Sequence, residues 1–123
     1  MALAEVHGRL ANTAMIYCII MAAWGLIRFF RGQGVSGGYF GAVVVAEILF
    51  AIQGLLGLIL WFGVATFRPG WVHWLYGIVL LLGAPVVYAY TKGKQERPEM
   101  LLYGVAFVIM IALVLRAMVT AAA

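Results

Sequence analysis

The chain has 123 residues, of which 67% are hydrophobic and only 10% charged, with a formal net charge of +4. A soluble domain carries about 45–50% apolar and about 25% charged residues, so this composition cannot build a water-facing surface. The single cysteine, Cys18, rules out an intramolecular disulfide and argues against a thiolate metal cluster. The modest positive charge falls in loops and points to membrane sidedness; no nucleic-acid partner is expected.

The apolar residues come in long blocks rather than amphipathic stripes. The first runs from Leu10 to Phe30, broken only near its end by Arg28. With its entry turn, the predicted helix covers about 7–30. The segment before it holds Glu5, His7 and Arg9 and does not read as a cleaved signal peptide. The second predicted helix covers about 39–63, the third about 71–91 and the fourth about 99–119. Each is close to the roughly 20 residues that cross a bilayer core of about 30 Å. Between them, Arg31 to Gly38 reads as a Gly/Ser linker, Phe67-Arg68-Pro69-Gly70 as a tight turn, and Lys92 to Pro98 as a charged loop. Trp61, Trp71, Trp74, Tyr39, Tyr88 and Tyr90 fall near predicted ends, where amphipathic rings prefer the headgroup level. Backbone in lipid must satisfy its own hydrogen bonds, so these runs are helices. The expected fold is all-α: a single membrane domain over 1–123, built as an up-down-up-down bundle of four transmembrane helices.

That topology puts Arg9, Arg68 and Arg116 on one side and Arg28, Arg31, Lys92, Lys94 and Arg97 on the other. The more basic face is expected to be cytoplasmic, with both termini outside, in a bacterial inner membrane. His7 precedes Arg28 by 21 residues and His73 precedes Lys94 by 21, a spacing consistent with a parallel pseudo-repeat and equally with chance.

The two histidines occupy matching places. His7 enters the first helix and His73 lies in the first turn of the third, within Trp71-Val72-His73-Trp74-Leu75-Tyr76-Gly77. In the expected topology these helices run the same way, which sets both imidazoles at similar depth. Imidazole is an axial ligand of haem iron, and bundles build cofactor sites from facing side chains. Below His7 at helical spacing come Ala11, Ala14, Cys18, Ala22 and Gly25; below His73 come Gly77, Leu80 and Ala84. Ala11 and Gly77 are candidate cofactor-lining positions, since small residues leave room for a flat macrocycle. The competing reading is that small residues simply let membrane helices approach closely. Haem propionates need cations, and Arg9, Arg68 and Arg116 are the candidates on the histidine side. Each also reads as an arginine snorkelling to the headgroups.

Paired histidines at one level of a small bundle resemble the membrane b-type cytochromes, including the cytochrome b561-like group. His7 and His73 carry that resemblance. It implies haem b and electron transfer, though those families often hold two haems and this chain has histidines for one. The His73-Trp74-Leu75-Tyr76-Gly77 stretch and the Arg116-Ala117 ending are also similar to small uncharacterised bacterial four-helix membrane proteins, a likeness that implies no activity.

Glu47 lies inside the second apolar run, where a charged group costs on the order of 2.5–3.5 kcal/mol near the bilayer centre. It is expected to be protonated or paired, with Arg28 as the nearest candidate on sequence grounds. Gln53 reads as an interhelical hydrogen-bond group, and Pro85 as a bend in the third helix. No nucleotide-binding glycine loop, hydrolase triad or zinc site is present, so stand-alone catalysis is not expected. The leading expectation is a membrane b-type haem protein with His7 and His73 as metal ligands, exchanging electrons with a quinone or a larger membrane complex. Two alternatives stand beside it: a cofactor-free accessory subunit of a respiratory or photosynthetic complex, and a small proton-coupled transporter using Glu47. Homo-oligomerisation is compatible with any of them.

Overall fold

A computed structural model describes residues 2–64 and 68–121, and among them every regular element is an α-helix. They are α1 (Leu3–Phe30), α2 (Gly37–Gly63), α3 (Trp71–Thr91) and α4 (Arg97–Ala121). All four are long and apolar enough to cross a membrane. The shortest, α3, has 21 residues, about 32 Å of helix against a hydrocarbon core of about 30 Å.

Three helices start earlier than hydropathy predicts: α1 at Leu3, α2 at Gly37 and α4 at Arg97. The first turns of α2 and α4 are glycine-rich or polar and carry capping signals instead, whereas α1 starts after Ala2 with no side-chain cap. Ser36 caps α2, its hydroxyl accepting from the Tyr39 amide at 3.0 Å. At the start of α4 the Glu99 carboxylate accepts from the Glu96 amide at 3.1 Å, one half of a capping box. α1 ends where Gly32 turns left-handed (φ +74°) and the Gln33 amide reaches back to the Arg28 carbonyl at 2.8 Å. Pro85 sits inside α3 without ending it. Of the expected turn between α2 and α3, Phe67 lies outside the described residues. Its neighbour Arg68 covers the end of α2, donating to the carbonyls of Trp61 (2.7 Å) and Val64 (3.1 Å).

α1 packs most extensively on α4, α4 on α3, and α1 on α2, while α2 and α3 touch least. Among the described residues α1 and α3 make no close backbone contact, so they face each other across the bundle. Packing is concentrated at one end. There Cys18, Met21, Tyr39, Met100, Tyr103 and Phe107 are all buried. The Tyr39 hydroxyl donates to the Met21 carbonyl (2.9 Å) and Tyr17 to Ala42 (2.6 Å), tying α1 to α2. The two loops at this end are joined by the Val35 amide on the Gln95 carbonyl (2.9 Å). Arg97 donates to the Phe29 carbonyl (2.9 Å) and lies 4.3 Å over its ring.

Two expectations change. Tyr39 is not a headgroup anchor but a core residue, because its hydroxyl finds a carbonyl inside the bundle; Trp71 and Tyr90, by contrast, are largely exposed near helix ends. Arg28 does not pair with Glu47: its guanidinium is spent on the Gly34 carbonyl (3.0 and 2.8 Å), which shapes the α1–α2 loop.

α1 meets its neighbours closely at Gly25, where an added Cβ would stand 2.7 Å from the Tyr39 hydroxyl and 3.1 Å from the Gly104 Cα. Gly25→Ala should therefore destabilise the protein by about 1–3 kcal/mol, the usual cost of overpacking. Gly41→Ala, where nothing lies within 4 Å, should leave thermal unfolding in detergent unchanged.

Candidate functional site: a two-histidine cavity

The opposite end of the bundle is hollow. A pocket of about 950 Å³, open to the surface past Gly54, Leu58 and Ile78, is lined by all four helices, near the upper end of the roughly 300–1,000 Å³ typical of small-molecule sites. His7, Gly8 and Ala11 line it from α1, Gln53, Gly54 and Gly57 from α2, His73, Trp74 and Gly77 from α3, and Ala117 and Met118 from α4. The small residues here leave space rather than bring helices together. A Cβ added at Gly8, Gly54 or Gly77 would meet nothing within 4 Å. Close approach accounts for Gly25, but it does not account for these three glycines.

The imidazoles meet across the cavity. Their ring centroids are 6.4 Å apart, with planes crossed at 66°. A metal–imidazole bond runs about 2.0 Å and a ring nitrogen stands about 1.1 Å from its centroid, so two imidazoles in line on one metal have centroids about 6.2 Å apart. Each residue is held by a different neighbouring helix. His73 Nδ1 lies 2.9 Å from the Ala117 carbonyl and 3.3 Å from the Thr120 hydroxyl, both on α4. A carbonyl only accepts, so Nδ1 carries the proton and Nε2 keeps the lone pair, the arrangement common to metal-binding histidines. On the other side, Gln53 Nε2 of α2 donates to the His7 carbonyl at 2.7 Å. One turn further along α2, the Gly57 position lies against the His7 ring, where an added Cβ would be 3.5 Å from Cε1.

Among the described residues no group of three or more His, Cys, Asp or Glu side chains stands together. Two imidazoles alone fall short of the three or four protein ligands that a bare zinc-type ion takes. A metal that brings its own equatorial ligands needs only two axial donors, the number of imidazoles present here. The walls are mostly apolar; the polar side chains facing the space are the two histidines, Asn12, Gln53 and Trp74, none of them an arginine or lysine. Gln53 Oε1 is buried and accepts no hydrogen bond.

Of the sequence-predicted site residues, the structure brings His7, His73, Ala11 and Gly77 together around the cavity. It does not place the arginines there. Arg9 is exposed and paired with Glu5 at 2.7 Å, Arg68 sits over the Trp61 ring at 4.8 Å, and Arg116 is exposed on α4. Glu47 is outside the lining, with one carboxyl oxygen buried and without a hydrogen bond. Sequence reasoning identified Gln53 as an interhelical hydrogen-bond group but not its partner, and it missed Thr120 and the Ala117 carbonyl. A backbone acceptor leaves no mark in sequence. Comparison with protein-family models, curated proteins and solved structures finds no match for this chain.

Imidazole nitrogen NMR should find His73 in its Nδ1–H tautomer. An Nε2–H tautomer would contradict the bond to Ala117.

Proposed function

We propose that this protein is a membrane b-type haem protein that transfers electrons, with His7 and His73 as the two axial ligands. The observation that carries the reading is the 6.4 Å separation of the imidazoles inside a largely apolar cavity. The macrocycle would lie between α1 and α3, against the open faces of Gly8, Gly54 and Gly77, with Ala11 and Ala117 beside it. When bound, the haem supplies a one-electron couple, and the protein sets its potential through axial ligands, burial and hydrogen bonding. This chain's own residues hold the ligands. Ala117 and Thr120 fix the tautomer and orientation of His73, which raises its basicity as a donor. Gln53 holds the backbone of His7. The mostly apolar lining would surround the group with non-polar contacts.

Propionates would leave the cavity toward the bundle end. Arg116, exposed on α4, is the candidate cation there, and Arg9 and Arg68 would have to exchange Glu5 and the α2 carbonyls for them. The setting we propose is a bacterial inner membrane with both termini outside, following the excess of basic residues at the opposite loops. The redox partner in this reading is a quinone or a larger membrane complex on one side and an external acceptor on the other. Glu47 has no part in it, since it does not line the cavity.

Protein purified in detergent from haem-replete cells should show a Soret band and sharp reduced α/β bands. His7→Ala or His73→Ala should abolish the six-coordinate low-spin spectrum. Gly54→Leu should leave the fold intact, because it grows into open space, yet prevent haem uptake by filling the cavity. A colourless wild-type preparation contradicts the proposal.

A further inference from the structure

Of the packed helix pairs, α2 and α3 touch least, and aromatic side chains close their seam at both ends. Toward the histidine end, Trp61 of α2 meets Trp74 of α3 edge-to-face, with ring centroids 5.5 Å apart. Toward the packed end, the Phe40 ring of α2 lies 5.7 Å from that of Tyr88 of α3. Between these two pairs the pocket opens outward past Gly54, Leu58 and Ile78. Helix geometry gives the depth of this window. Gly54 stands about 14 Å and Leu58 about 8 Å from the Gly63 end of α2, and Ile78 about 11 Å from the Trp71 start of α3. With 27 residues in α2 and 21 in α3, the helices run about 40 Å and 32 Å across a hydrocarbon core of about 30 Å. The window therefore opens inside the hydrocarbon layer, below the tryptophan pair, and faces acyl chains rather than water.

A space of about 950 Å³ with mostly apolar walls does not stay empty beside fluid lipid. Water against such walls gives up hydrogen bonds, and apolar cavities take apolar molecules in preference. A hydrocarbon chain that moves in from the bilayer exchanges one apolar environment for another and gains dispersion contacts with the walls. The way in is clear. Gly54 and Gly77 carry no Cβ, and nothing lies within 4 Å of where one would stand. We infer that the two-histidine pocket is a lipid-tail site: a hydrocarbon chain of a bilayer lipid enters through the α2–α3 window and fills the pocket of the haem-free protein. This site stands without the haem reading; that haem displaces the chain when it binds rests on it. By mass action the chain stabilises the haem-free fold, and haem competes with it for the same space.

The probe is a phosphatidylcholine with a photoactivatable diazirine in mid-chain, mixed into phosphatidylcholine vesicles that hold the full-length protein. Irradiation of the haem-free protein, read by peptide mass spectrometry, should label the half-buried pocket residues Ala11, Leu81 and Ala117. It should also label lipid-facing positions outside the pocket, such as Ile16. Gly54→Trp, and independently Ile78→Trp from the other side of the window, should abolish the pocket labels and leave Ile16 labelled. Haem loading of the wild type should abolish the same pocket labels. Absence of pocket labels in the haem-free wild type, with Ile16 labelled, overturns the proposal. Pocket labels that persist in both tryptophan variants overturn the window as the route. Pocket labels that persist beneath a six-coordinate haem spectrum overturn the displacement. A wild type that takes up no haem yet is labelled in the pocket overturns the haem reading and supports the lipid-tail site.

Discussion

Helices in lipid gain nothing from hiding apolar surface from one another, because the solvent is as apolar as they are. Association has to come from close packing and from hydrogen bonds between helices. This bundle places its tightest glycine contacts at one end and hydrogen bonds between helices at both. Gly25 and Gly104 let α1 and α4 approach until a single added carbon would collide, and the Tyr17 and Tyr39 hydroxyls reach backbone carbonyls across α1 and α2. The two loops at that end are bonded to each other as well. With the assembly secured there, the other end is free to stay open, and the cavity is the result.

A hollow end needs explaining in a molecule this small, and the histidines offer the explanation. Their separation suits a shared metal, but their number does not suit a bare one. Each is braced by a neighbouring helix, the His73 ring by α4 and the His7 backbone by α2, so the bundle that frames the space also holds both histidines. Such bracing is what separates a positioned imidazole from one that merely tolerates the interface.

The four spans were legible because lipid leaves the backbone few alternatives to helix. Their ends were less so, since Ser36 and Glu99 cap helices without adding to hydropathy. The histidines could be paired from sequence, as both sit at the start of a helix and the expected connectivity sets them at one depth. The small residues could not be interpreted. Gly25 and Gly77 look alike in sequence, yet one is jammed against Tyr39 and the other opens onto empty space. Only the distance between helices distinguishes them. The arginines misled for a similar reason. Arg9 has Glu5 one turn before it, and that i,i+4 spacing was a local signal pointing away from the cavity. Tyr39 showed no sign in sequence of the carbonyl that draws it inside.

The central claim is that two imidazoles share one metal with their planes steeply crossed. Low-temperature electron paramagnetic resonance of the oxidised, haem-loaded protein tests it most directly, because the mutual rotation of the ligand planes controls the anisotropy of a low-spin ferric signal. The 66° crossing predicts a strongly anisotropic low-spin signal from a bis-imidazole site. A purely high-spin spectrum, or the rhombic low-spin signal of parallel rings, would contradict the account.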